Sequence, residues 1–401
     1  MKYIVLVGDG MADYPIEGLG GRTPLEAART PNMDFIAQQG RLGQVKTIPD
    51  KATPGSDVAN ITIFGYDTQK YYTGRGPLEA ANLGIDMEDD DVAFRCNLIT
   101  ASGDILTDYS AGHISSKEAS ILIKAVDKAL GTNRFRFFPG VSYRHLMLAK
   151  RGAEDHLDQL KCIPPHDIAG QSISKNMPKG DNADILIRLM EESRKILENE
   201  EINHVRLDLK ENPGNMIWLW GQGKKPAMPK FTDKYNLTGS VISAVDLIKG
   251  LGRIIGLDVI NVPGATGYYD TDYEGKANAA IKSLEKNDFV FVHIEAPDEA
   301  GHNGDLREKI LAIERFDQMV VGNILRAYKN KKNFRILVLP DHATPVSLRT
   351  HVADNVLFAI YGKGITARGF LNYSEKEAQK SDLLMERGCE LMDYFIKSEE
   401  I

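Results

Sequence analysis

Cysteine is scarce in this chain. Cys96, Cys162 and Cys389 are odd in number, far apart and in no CxxC spacing. They make neither a disulfide framework nor a zinc-finger pattern, which points to a reducing compartment and a cytoplasmic protein. Long apolar runs are missing too. No stretch nears the roughly 18 residues of a membrane span, so no membrane partner is expected. The opening run Tyr3–Val7 is too short for a signal-peptide core. A basic excess is also lacking. The 49 Lys and Arg against 56 Asp and Glu leave a net charge of −7, which argues against a nucleic-acid partner. A local basic pocket for a small anion remains allowed. Several motifs are absent: the glycine-rich loop of NTPases with its Gly-Lys-Ser/Thr ending, HExxH, and GxSxG on a strand-to-helix turn. Gly8-Asp9-Gly10 is not a dinucleotide fingerprint. Internal repeats and low-complexity segments are missing as well.

What is present suits a large core. The 401 residues are 42% hydrophobic, room for two or three domains of roughly 100–200 residues each. The apolar runs Tyr3–Val7, Met216–Trp220, Leu257–Val262, Phe289–Ile294, Ile336–Leu339 and Val356–Ile360 predict strands covered on both faces. Helical spacing marks Ala183–Leu197, Ser240–Leu251 and Leu306–Tyr328. Strand alternating with helix predicts an α/β fold, a mainly parallel sheet flanked by helices. The middle breaks this alternation. It holds a strand Val92–Thr100, a helix Ser116–Leu130 and a strand pair around Phe135–Ala149, bracketed by the acidic run Glu88–Asp91 and the Pro178/Gly180 region. The expected division is a core of residues 1–86 and 181–401, with a smaller inserted α+β domain at 87–180. Oligomeric state is not readable, and a homo-oligomer stays open.

Three of the apolar runs end in groups that bind metals. Tyr3–Val7 leads to Asp9, Phe289–Ile294 to Asp298 and His302, and Ile336–Leu339 to Asp341 and His342, with His351 following. In open α/β sheets the carboxyl ends of strands form the active-site crevice, so distant segments can converge there. Taken singly, each has an ordinary reading. Asp9 fits a turn or helix cap, Asp298 and His302 an exposed helix pair, and His351 a hydrogen-bonded loop histidine. Asp341 and His342 directly after a buried strand need partners in any case. Jointly, the six read as a two-metal centre, and Asp and His together suit Mn²⁺ or Zn²⁺ better than Ca²⁺ or Mg²⁺. Such a centre acts on phosphoryl oxygens. Ser56, after Pro54-Gly55, opens a short predicted helix. It reads either as a plain N-cap or, beside metals, as a nucleophile. Arg75, between Gly74 and Gly76, reads as a phosphate contact or a loop arginine.

The combination resembles the cofactor-independent phosphoglycerate mutase family of the archaeal type, in the alkaline phosphatase superfamily. The resemblance runs through Val7-Gly8-Asp9-Gly10-Met11-Ala12-Asp13, Thr53-Pro54-Gly55-Ser56-Asp57 and Tyr72-Thr73-Gly74-Arg75-Gly76-Pro77. It continues through Asn215-Met216-Ile217-Trp218, Gly264-Ala265-Thr266-Gly267, Asp298 to Asp305, and Pro340 to His351. It implies an alkaline phosphatase-like core and two divalent ions, without 2,3-bisphosphoglycerate. One ion would be held by Asp9, Ser56, Asp341 and His342, the other by Asp298, His302 and His351. It also implies transient phosphorylation of Ser56, an inserted domain that closes over a small phosphorylated carboxylate substrate, and a basic role for Lys276 near the site.

One departure concerns the substrate. Where the family tends to carry Asp-Arg-Arg-Ala-Gly-Arg, this chain has Asp108-Tyr109-Ser110-Ala111-Gly112-His113. Arginine is the natural bidentate clamp for a carboxylate or phosphate. Arg144 and His145 would replace the missing charge or form a surface-strand pair, and Asp108 and His113 are the candidate proton shuttles. The expected reaction interconverts 3-phosphoglycerate and 2-phosphoglycerate through phosphoserine. The alternatives are phosphoryl transfer to an amino alcohol such as homoserine, which a bacterial branch of the family suggests, and a non-catalytic metal-binding scaffold.

Overall fold

A computed structural model describes residues 1–400. The chain divides into two compact units, Met1–Tyr72 with Met228–Ile401, and Thr73–Ala227.

The first unit is built on one mixed sheet. Lys2–Gly8 lies at its centre, parallel to Phe289–Ile294 on one side and to Phe334–Leu339 on the other. Gly239–Ile242 and then Asp258–Val259 extend it in parallel beyond Phe289–Ile294. Beyond Phe334–Leu339 come two antiparallel pairings, to Val356–Gly362 and from there to Arg41–Val45, with Leu384–Met385 at the edge. The central strands are buried along both faces, as their unbroken Val, Ile and Leu runs predict. Period-two alternation divides them. Ile4, Leu6, Val290, Val292, Ile336 and Val338 pack against the helices Pro31–Gln39, Tyr273–Ser283 and Leu306–Arg315. On the opposite face Phe291 stacks on Phe64, with ring centroids 4.2 Å apart, and Phe289 meets Phe231 at 4.5 Å. Each fully buried side chain of this kind contributes roughly 1.5–3 kcal/mol.

Two predicted elements differ. Ser240 to Leu251 is not one helix: Gly239–Ile242 is a strand, and the helix is Asp246–Ile254. Val241 and Ile242 are β-branched and buried in the sheet, which overrides the apparent helical spacing. Leu257–Val262 shortens to Asp258–Val259 at the edge of the sheet. The long helix at Leu306–Tyr328 is present, but Phe316–Val321 widens to a π-turn. There Asp317 turns its carboxylate onto the backbone N–H groups of Asn32 and Met33, at the start of Pro31–Gln39.

The second unit is wider than the expected 87–180. Its sheet centres on Val92–Ser102, antiparallel to Ile105–Asp108, to Arg144–Ala149 and to Met216–Lys224. Phe135–Val141 pairs with Arg144–Ala149. The run at Met216, read as a core strand, therefore belongs here. So does the helix Ala183–Leu197, whose Leu186, Leu189 and Met190 pack with Trp218 and with Leu122 and Ile123 of the helix Ser116–Leu130. An apolar run records burial but not the sheet that buries it.

Candidate active site

Register places the candidate ligands. Gly8 is opposite Ile294, and Val7 is opposite both His293 and Leu339. Three adjacent parallel strands thus end at one level, spaced roughly 4.8 Å apart. Asp9 leaves the first strand, Glu295 the second, and Asp341 follows the third by one residue. Gly10 turns the chain at φ +58°, and a Cβ there would lie 2.5 Å from Asp298 Oδ1. Only glycine fits that turn, and its N–H donates to Asp341 Oδ1 at 3.1 Å.

Asp298 and His302 lie on Ala296–Asn303, one turn apart, with His302 Nε2 3.2 Å from Asp298 Oδ2. His351 joins them: its Nε2 is 3.4 Å from Asp298 Oδ1 and 2.8 Å from His302 Nε2. His302 Nδ1 lies 3.0 Å from the Arg349 carbonyl, which only accepts, so Nδ1 carries the proton. Once its other proton is lost, His302 turns its Nε2 lone pair toward His351 and Asp298. A backbone carbonyl fixing the tautomer of a ligating histidine is the arrangement that metal sites use.

Asp9, Asp341 and His342 form the deeper group. His342 Nε2 is 3.5 Å from Asp9 Oδ1 and 3.7 Å from Asp341 Oδ2. His342 stands between the two groups. Its ligand atoms also cluster with those of Asp298 and His351, all within 4.8 Å of one another, while Asp9 and Asp341 cluster in the same way with His293.

Ser56 begins the helix Ser56–Ile63. The cap residue is Gly55, so the plain N-cap reading of Ser56 does not hold. Its hydroxyl is instead 3.1 Å from His342 Nε2. Asn60, one turn on, donates to the Ser56 carbonyl and to Asp341 Oδ2, both at 2.8 Å, and so ties the serine helix to the ligand strand.

The electrostatics fit a cation. Burial pushes the Asp9 carboxyl well above its ordinary range, and the Asp341, Asp298 and Glu295 carboxylates push it further. Its Oδ1 is buried without a hydrogen-bond donor. Burial would raise Asp341 too, but His342, His293 and the Gly10 N–H outweigh it and hold that carboxyl low. Burial and then the neighbouring His351 and His302 keep His342 below its usual pKa, against Asp341 and Asp298, which favours the neutral ring a metal needs. His302 goes the other way: against burial, Asp298 raises it to about 9. Crowded carboxylates, an orphaned carboxylate oxygen and an oriented imidazole pair suit divalent ions.

Other expected site residues sit differently. Lys276 is wholly buried, and its ammonium donates to Glu295 Oε2 at 2.6 Å and to the His293 carbonyl at 3.2 Å. Its ammonium is taken up by these partners and is not exposed. His145 is buried too, and burial lowers it to about 3. Its Nδ1 accepts from Gly140 N–H at 3.0 Å, so it is a neutral strand residue and supplies no positive charge. Asp108 accepts from Ser110 N–H, Ser110 Oγ, Gly112 N–H and Asn212 Nδ2, each at 2.7 Å. With four donors on it, Asp108 organises its turn and is poorly suited to shuttle protons. His113 stands in that turn at φ +50°, its ring 6.2 Å from Tyr143.

Within the second unit a basic, aromatic patch surrounds Trp220. Arg95 and Arg75 lie over its ring at 4.5 and 5.9 Å, and His166 meets it edge-on at 5.4 Å. Tyr109 links His166 to Tyr143, over which Arg144 lies at 5.5 Å. Burial lowers Arg95, and Arg75 and Arg144 lower it further, despite its 3.0 Å ion pair with Glu79. Positive charges held this close favour an added anion. Sequence reading missed Arg95, His166, His293 and Asn60. A charge inside the apolar run Val92–Thr100, and a histidine inside Phe289–Ile294, were the available signals.

A family model described as 2,3-bisphosphoglycerate-independent phosphoglycerate mutase matches residues 37–203. A Geobacter sulfurreducens protein described as a probable enzyme of that name is 50% identical over 405 residues, covering 99% of this chain and 100% of its own. A Methanosarcina barkeri protein of the same name is 51% identical over 401 residues, with 99% and 100% covered. Among solved structures, a Pyrococcus horikoshii protein is 31% identical at a TM-score of 0.84, covering 100% of this chain and 98% of its own. The cofactor-independent phosphoglycerate mutase of Thermoplasma acidophilum is 27% identical at a TM-score of 0.68, with both chains covered in full.

Proposed function

The chain belongs to the 2,3-bisphosphoglycerate-independent phosphoglycerate mutase family, and from that premise we propose that it interconverts 3-phosphoglycerate and 2-phosphoglycerate through a phosphoserine at Ser56. The observation that carries the reading is the Ser56 hydroxyl, free of any capping role and 3.1 Å from His342 Nε2, beside two groups of Asp and His side chains.

Asp9, Ser56, Asp341 and His342 would hold one divalent ion, and Asp298, His302 and His351 the other. When bound, ions of the Mn²⁺ or Zn²⁺ kind supply positive charge to the phosphoryl oxygens and lower the serine pKa. The positive end of the dipole of Ser56–Ile63 faces the same oxygens. In the first half-reaction Ser56 Oγ bonds to phosphorus as the phosphorus–oxygen bond at C3 breaks, and the C3 oxygen takes up the proton that Ser56 gives up. In the second, the C2 oxygen bonds to phosphorus as the bond from phosphorus to Ser56 Oγ breaks, and the C2 hydroxyl proton passes to Ser56. Asn60 keeps the serine helix in place against Asp341. Arg75, Arg95 and Arg144 form the candidate anion-binding surface of the second unit. They offer the bidentate donors that a carboxylate or phosphate takes.

The relatives above support the mutase reading and give the homoserine alternative no support. An intact ligand set also counts against a scaffold. No helix among the described residues is long and apolar enough to cross a membrane, and three free cysteines support a cytoplasmic setting. The test is a coupled assay with 3-phosphoglycerate and Mn²⁺ or Zn²⁺, without 2,3-bisphosphoglycerate, beside homoserine with ATP. Turnover of phosphoglycerate alone is expected. Phosphorylation of homoserine without mutase turnover would overturn the reading.

A further inference from the structure

Behind Asp9 lies a row of charged groups outside the ligand set. Lys276, on the helix Tyr273–Ser283, and Glu295 are both buried and paired at 2.6 Å. The other Glu295 oxygen accepts from Ser243 Oγ and Ala244 N–H, each at 2.8 Å, and lies 3.4 Å from His293 Nδ1. His293, also buried, faces outward from there. Its Nε2 is 3.4 Å from Asp9 Oδ2 and 3.8 Å from Asp341 Oδ2. Neither ring nitrogen makes a hydrogen bond of ordinary geometry. Carboxylates flank the ring on both sides, Glu295 beyond Nδ1 and Asp9 beyond Nε2, each at 3.4 Å.

Burying a lysine and a glutamate is costly, and apolar side chains of the same volume would fill that space at lower cost. Apolar residues would not orient the His293 ring toward Asp9 and Asp341. Resting on the two-metal reading above, we propose that Lys276, Glu295 and His293 form a positioning chain. It holds Asp9 and Asp341 in the orientation that binds a divalent ion, and none of the three touches the ion or the substrate. Glu295 fixes the ring, the ring faces both carboxylates, and Lys276 fixes Glu295. Losing such outer partners typically weakens metal binding about 10–100-fold.

The experiment titrates metal-free full-length protein with Mn²⁺ by calorimetry and counts bound metal by elemental analysis. It compares the wild type with Lys276→Met, Glu295→Gln and His293→Asn, after thermal melts of the metal-free proteins. The expected result is two ions in the wild type. In each variant one ion should bind about 10–100-fold more weakly, and the other should stay within about threefold. A general structural defect would weaken both ions together, which overturns the proposal. So does unchanged binding in Lys276→Met and Glu295→Gln with loss only in His293→Asn, which would make His293 a ligand. If a single variant does not fold, the double variant Lys276→Met with Glu295→Gln removes both charges at nearly constant volume. Selective weakening of one ion there supports the chain, and wild-type binding of both ions overturns it. A wild type that binds fewer than two ions overturns the two-metal reading itself, and the positioning chain with it.

Discussion

Ser56 Oγ lies 3.1 Å from His342 Nε2, although 286 positions separate the two residues in the sequence. One is the first residue of a helix capped by Gly55; the other follows a central strand. The contact joins the proposed nucleophile to the ligand groups. Ser56→Ala should lower turnover about a thousandfold or more. Little stability should be lost, since no cap is removed. Intact-mass spectrometry should find a phosphoryl adduct on the wild type after substrate exposure and none on the variant. Undiminished turnover in the variant would sink the assignment.

Chelation should abolish activity, and Mn²⁺ or Zn²⁺ should restore it. His302 supplies the pH dependence. Asp298 holds it protonated up to about 9, and only the neutral ring can bind a metal. As pH falls below that value, protons compete with the ion. Metal affinity should drop by up to about tenfold per pH unit for this one group. Titrations with Mn²⁺ at several pH values check this, and a flat profile between neutral and mildly alkaline pH would count against His302 as a ligand.

Arg144 is exposed on the edge of the second unit's basic patch, so its removal separates recognition from folding. Arg144→Ala should raise KM for phosphoglycerate about 10–100-fold, as expected for a lost charged hydrogen bond of roughly 1.5–3 kcal/mol. Its melting temperature should stay close to wild type. His113→Arg, which adds a guanidinium beside Tyr143, should raise kcat/KM. Steady-state kinetics test both, and equal KM values would remove the patch from the substrate site.

Lys309 is a second buried lysine. It donates to Asp13 Oδ2 and the Thr344 carbonyl at 2.7 Å, and to the Ala12 carbonyl at 3.3 Å. It thereby joins the loop after Asp9 to the loop after His342. Lys309→Met leaves Asp13 buried without its counter-charge and should cost about 3–5 kcal/mol. Urea unfolding of the metal-free protein would show the loss as a lower midpoint.

Glu375 makes stability fall as pH rises. Burial raises its carboxyl to about 7, against hydrogen bonds that include Thr23 Oγ1 at 2.8 Å and Asp13 N–H at 3.3 Å. Between the ordinary carboxylate range and pH 7 the folded state keeps a proton that the unfolded state has released. Stability from this group is therefore complete in acid and lost as pH climbs through about 7. Glu375→Gln should flatten that part of the profile and raise the melting temperature at pH 8 more than at pH 5. Equal shifts at both values would reject the assignment.

Much of the candidate metal centre is legible in the sequence because strand ends are local features. A short apolar run followed by Asp or by Asp-His shows where a buried strand meets the crevice, and Asp9, Asp298, Asp341 and His342 follow from that pattern. Helical spacing likewise gives Ser116–Leu130 and Ala183–Leu197 at their observed bounds. The partner of a strand is a different matter. Met216–Lys224 reads like any core strand, yet it pairs antiparallel with Val92–Ser102, because pairing depends on chain crossings that no local pattern records.

Charge is the other property that only the tertiary structure decided. Lys276 and His145 look like positive groups available to a substrate. Packing buries both: Lys276 is taken up by Glu295, and His145 loses its charge to desolvation. Arg95 and His293 look like irregularities in apolar runs, and the fold sets them against Trp220 and against Asp9. Residue type fixes which charges a side chain can carry. Burial and neighbours, which exist only once the chain has folded, decide whether it carries one and what that charge faces.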